Sequence, residues 1–118
     1  MSAAAFKDRL RADLKLALRT RDNNKAATLR RLIGALDNAE AVEVADKPYQ
    51  PRAFGDPAGE VARRELDAAA IDAVIAREVA DRRSAADDYD RHGRTEESVR
   101  LRDEAALIAT YSGSSLQN

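Results

Sequence analysis

Apolar positions recur at spacings of three and four along most of the chain, the period of an α-helix with one buried face. Ser2 is a plausible N-cap, and the spacing predicts a first helix over Ala3–Arg21, with Phe6, Leu10, Leu14, Ala17 and Leu18 as its stripe, helped by Ala3. Asp22-Asn23-Asn24 breaks that helix and can cap the next one. A second helix follows over Lys25–Val42, with Leu29, Leu32, Ile33 and Leu36 buried. Gly34 sits inside it at a cost of up to about 1 kcal/mol against Ala, either for a close helix crossing or because it is exposed and inconsequential. Asp67 caps a third and longest helix that runs to Arg91 or His92, where Gly93 supplies the left-handed residue. Its stripe is Ile71, Val74, Ile75, Val79, Ala86 and Tyr89. Thr95 is read as the cap of a fourth helix reaching Tyr111, with Leu101, Ala105, Ile108 and Tyr111 on one side.

The breaks near Asn23 and Gly93 are short, which favours antiparallel neighbours. The prediction is therefore an all-α, four-helix bundle-like domain of two helical hairpins over residues 1–111, followed by a polar tail, 112–118. Between the hairpins, residues 43–64 hold all three prolines (48, 51 and 57) and two of the five glycines. Proline at this density forbids a continuous helix, so a long Pro-rich loop is expected between helices 2 and 3.

Charges interrupt these stripes. Glu78 and Arg82 lie along the mid-line of the third, four residues apart with the carboxylate first, the favourable order for an intrahelical pair. Glu40 extends the second stripe and Glu104 lies within the fourth. These carboxylates could serve as a general acid–base pair with pKa values raised by burial. The better reading is a structural polar network in which Arg82 forks to two carboxylates and fixes helix register.

Composition narrows the chemistry. With 118 residues the chain can build one modest core. No Cys means no disulfide, thiolate metal site or Cys nucleophile, and one His, His92, cannot furnish a histidine metal cluster or the Glu-x-x-His pairs of a di-metal bundle. No glycine-rich phosphate loop and no serine-centred catalytic motif is present. No cofactor, metal or catalytic residue is expected. Charges every two or three positions in the first twenty residues argue against a signal peptide or a membrane span, so a cytoplasmic location is expected.

Charge is uneven. Residues 1–31 carry nine Lys or Arg against three Asp, although the whole chain has a net charge of −1. Lys7, Arg11, Lys15 and Arg19 follow one another at four-residue steps, with Lys25, Arg30 and Arg31 nearby. This is a candidate face for nucleic-acid phosphates, or a solvated face paired with the acidic half of the molecule.

The residues of Leu29–Glu40, LRRLIGALDNAE, and of Glu65–Arg94, with Glu78, Val79, Arg82, Arg83, Ser84, Tyr89, Gly93 and Arg94, resemble the GatB/YqeY family. The ordered set, closed by a helix with Glu104 and Tyr111, runs across residues 6–111. The resemblance implies an all-helical domain related to the tail of the B subunit of the tRNA-dependent amidotransferase, which helps to hold misacylated tRNA. Stand-alone members are commonly assigned carbon–nitrogen ligase activity with glutamine as amide donor, but the catalytic machinery of the amidotransferase lies in other domains. Two departures stand beside it. Residues 45–64 are an insertion where the family has a short linker, and after Tyr111 the family continues into a smaller helical subdomain where this chain reads SGSSLQN. The expected function is a small non-catalytic module that binds tRNA or a tRNA-handling enzyme. The alternative is a protein–protein module or a homo-oligomer that completes an Ala-rich core by self-association.

Overall fold

Local capping chemistry sets the helix boundaries. The Ser2 hydroxyl accepts a hydrogen bond from Ala5 N–H at 3.1 Å, Asp22 Oδ1 from Lys25 N–H at 3.1 Å, and Asp67 Oδ1 from Ala70 N–H at 2.8 Å. Leu66 and Ile71 occupy the flanking positions of a hydrophobic staple around Asp67, and both are buried in the core. The computed structural model describes residues 2–45 and 66–113. These form four helices: α1 (Ala3–Arg19), α2 (Asn23–Ala45), α3 (Ala68–Arg91) and α4 (Thr95–Ala109).

Both hairpin turns use the same Schellman closure. After α3, Arg94 N–H donates to Tyr89 O at 2.8 Å and Gly93 N–H to Asp90 O at 3.1 Å, with Gly93 at φ 70°. After α1, Asp22 N–H donates to Ala17 O at 2.9 Å and Arg21 N–H to Leu18 O at 3.3 Å, with Arg21 at φ 58°. The first helix therefore stops two residues before the expected Arg21, because Arg21 itself takes the left-handed position. At the fourth helix the expected cap also shifts. Arg94 is the N-cap, Thr95 is the first helical residue, and the Arg94 side chain makes no capping hydrogen bond.

α3 and α4 form the most extensive pair, and α1 packs chiefly on α2, so the chain folds as two antiparallel hairpins. They share one core of Phe6 and Leu10 from α1, Leu29, Leu32 and Leu36 from α2, Ile71, Ile75 and Val79 from α3, and Ala105 and Ile108 from α4. Tyr111, just past α4, closes one end, its ring edge-on to Phe6 at 6.1 Å and 88°. The expected α1 stripe does not hold at its C-terminal end, where Leu18 is 45% exposed and Leu16 56% exposed. Ala17 alone carries the buried contact there. A Cβ on Gly34 would meet nothing within 4 Å, so Gly34 marks no close helix crossing. The helix of residues 43–45 extends α2 into what the prolines predict as loop, and the rest of that segment lies outside the described residues. No described helix is long and apolar enough to cross a membrane.

Two glycine exchanges test this backbone. Gly34→Ala and Arg21→Gly should each raise the stability measured by urea unfolding, by roughly 0.5–1 kcal/mol. The first removes a helix-interior glycine with room for a methyl group, and the second relieves a left-handed arginine.

Candidate functional site

Helical spacing brings Glu78 one turn before Arg82 on α3, and packing brings α4 alongside. Arg82 Nη1 lies 3.0 Å from Glu78 Oε1 and donates to the Glu78 carbonyl at 3.1 Å, while Nε lies 3.3 Å from Glu104 Oε1. Arg31 of α2 reaches the same Glu104 oxygen at 3.5 Å, and Arg100 stands 3.9 Å from the other. Glu104 thus joins α2, α3 and α4. Each carboxylate is held by at least one guanidinium, so none is presented as a free acid or base. Among the described residues no buried side-chain nitrogen or oxygen lacks a hydrogen-bond partner.

Glu40 is not part of this group. It is buried against α1, where Lys7 Nζ lies 2.7 Å from both Glu40 Oε1 and Asp37 Oδ1. Lys7 is itself buried, which removes it from the expected basic face. The reason is geometric. Residues at four-residue steps drift about 40° around a helix per step, so Lys7 begins on the edge of the core and Arg19 ends on the far side. Burial alone would lower the Lys7 ammonium, but the hydrogen bonds and charges of Asp37 and Glu40 outweigh it and hold its pKa above the usual 10.5.

Other links carry no signature in the sequence pattern. The Tyr111 hydroxyl donates to Asp13 Oδ2 at 2.5 Å, and Arg9 lies 5.2 Å above the tyrosine ring. Burial first, then Asp13, pushes the Tyr111 phenol well above the ordinary tyrosine range. At the other end Arg102 spans Asp87 at 2.8 Å and Asp90 at 2.7 Å, and the Ser98 hydroxyl together with Arg102 holds the Asp90 carboxyl below its usual range. His92 caps α3, its Nδ1 2.7 Å from the Asp88 carbonyl. These contacts pair distant residues or loop ends, and single-helix periodicity carries no signal for them.

The remaining basic candidates divide. Arg11 pairs with Asp8 at 3.3 Å, and Arg31 keeps an exposed side chain while reaching Glu104. Lys15, Arg19 and Arg30 are exposed and Lys25 is half-buried, and none of the four makes an ion pair among the described residues. They surround the α1–α2 turn. The second hairpin is opposite in sign, with seven Arg against ten Asp and Glu over residues 68–109.

Near the two turns α2 and α4 separate, leaving an open groove of about 680 Å³. Asp22, Lys25 and Thr28 line it from the α2 side, and Glu96, Val99 and Asp103 from α4. Val99 is 52% exposed there.

Arg82→Leu should cost stability toward the lower end of about 3–5 kcal/mol, because Arg31 and Arg100 remain near Glu104. Thermal unfolding at neutral pH reads this. Lys7→Met should also destabilise by stranding Glu40, and Lys7→Met with Glu40→Leu should restore most of the stability. Because the Lys7 pKa is raised on folding, its contribution is complete below pH 10.5 and fades as pH climbs through the folded value. The stability gap between the native chain and Lys7→Met should therefore narrow in alkaline solution.

No protein-family model matches the chain, and comparison with curated proteins finds no match.

Proposed function

We propose that the chain is a small non-catalytic helical module that binds RNA phosphates through the cations around the α1–α2 turn. The RNA favoured is tRNA, met alone or on a tRNA-handling enzyme. The observation that carries this reading is the set of Lys15, Arg19, Lys25 and Arg30, cations without ion-pair partners among the described residues, clustered at one end of a chain that is otherwise acidic. Cations left unpaired in this way are available to displace phosphate counterions. The choice of tRNA rests on the resemblance of residues 29–40 and 65–94 to the GatB/YqeY family, and the glutamine-dependent carbon–nitrogen ligase activity assigned within that family has no counterpart among the paired carboxylates described above.

Contacts of this kind position a backbone and do not read sequence, so binding should be broad and salt-sensitive. Total tRNA should bind at about 50 mM salt and weaken steeply as salt rises. Lys15→Glu with Arg19→Glu should weaken binding and lower the slope of log affinity against log salt by about 1 for each cation that no longer meets a phosphate. Filter binding or fluorescence anisotropy measures both quantities. No binding at about 50 mM salt, or binding untouched by the double reversal, overturns the reading.

A further inference from the structure

Among the described residues, the exposed large hydrophobics are Leu16, Leu18 and Val99. Leu16 lies seven residues after Arg9, which returns it to the same side of α1. Arg9 sits over Tyr111, just past α4, so Leu16 projects from α1 on the side that meets Tyr111. It is nonetheless 56% exposed. Ala12, one turn earlier, is also exposed, and Lys15 and Arg19 flank the pair with no ion-pair partner among the described residues. The groove carries the complement. Val99 stands 52% exposed, with Glu96 and Asp103 on the same α4 face at helical spacing and without ion-pair partners among the described residues.

We propose that the α2–α4 groove receives the α1 end of a second copy of this chain, with Leu16 seated against Val99 and Lys15 and Arg19 facing Glu96 and Asp103. Apolar knob and apolar floor, cation and carboxylate, match in kind and sign. The α1 end leads directly through the turn into Asp22 and Lys25, which line the groove. Knob and groove are thus neighbours on one molecule, and a two-fold axis between them lets each copy give a knob and receive one, the self-complementary arrangement of an isologous dimer. The dimer occupies Lys15 and Arg19, so self-association and RNA binding draw on the same cations and oppose one another.

Light scattering on RNase-treated protein tests the association, and cross-linking tests its geometry. At about 100 μM, where even a weak interface is populated, the native chain should approach twice its 12.9 kDa. Val99→Asp should return it to the monomer with an unchanged circular dichroism spectrum, since Val99 is exposed. The chain has no cysteine, so thiols can be introduced without background. An oxidised equimolar mixture of Leu16→Cys and Val99→Cys proteins should yield roughly tenfold more covalent dimer than either alone, because docking raises the effective thiol concentration. A native chain that stays monomeric overturns the proposal, as does a dimer indifferent to Val99→Asp, or a mixture that cross-links no better than its components. If the monomer persists and Val99→Asp weakens tRNA retention instead, the groove belongs to RNA and not to a second copy.

Discussion

Arg82 cannot sit on the mid-line of an apolar stripe unless its charge is answered there, and that requirement organises the second hairpin. Glu78 answers it from the same helix and Glu104 from the next, at 3.0 and 3.3 Å. A pair this poorly solvated adds little net stability over a well-packed apolar substitute, but it is costly to break. Its consequence is registry. Glu104 meets Arg82 only when α3 and α4 are correctly aligned, and Arg31 brings α2 to the same carboxylate. In a chain whose stripes contain many alanines, shape alone distinguishes neighbouring alignments weakly, and a directional fork supplies what small side chains do not.

The first hairpin solves the same problem independently. Lys7 is fixed between Asp37 and Glu40. The two ionic clusters divide the labour. Lys7 sets α1 against α2, Arg82 sets α3 against α4, and Arg31, the Tyr111–Asp13 hydrogen bond and the shared apolar core hold the hairpins together. Glu40 and Glu104 look equivalent as charges on apolar stripes, yet they serve different interfaces.

The helices and turns are legible in the sequence because they are local. Ser2, Asp22 and Asp67 cap through their own side chains, and Gly93 turns left-handed as a glycine past a helix end should. Arg21 takes the same backbone position without the glycine that would advertise it, so periodicity places the end of α1 two residues late. The Glu78–Arg82 contact follows from a four-residue spacing, whereas the assignment of Glu40 to Lys7 requires knowing which helix lies beside which. Leu18 fails as a core residue for a related reason. A stripe states which face is apolar, and not how far along the helix a neighbour continues to cover it.

The basic row of α1 shows how one periodic pattern can carry two roles. A four-residue step does not match a whole number of helical turns, so each successive cation moves outward. Lys7 is inside the interface, Arg11 answers Asp8 on the surface, and Lys15 and Arg19 have no ion-pair partner among the described residues. The inner end of the row stabilises the hairpin and the outer end is open to another molecule. Where that outer end lies also matters. It borders the turn, the separation of α2 and α4, and the exposed Leu16 and Val99. The opposite end is sealed by Tyr111 against Phe6. Lys15 and Arg19, with Glu96 and Asp103 across the groove, thus lie beside the exposed Leu16 and Val99, and a partner that meets either the charge or the apolar surface there also covers its neighbour.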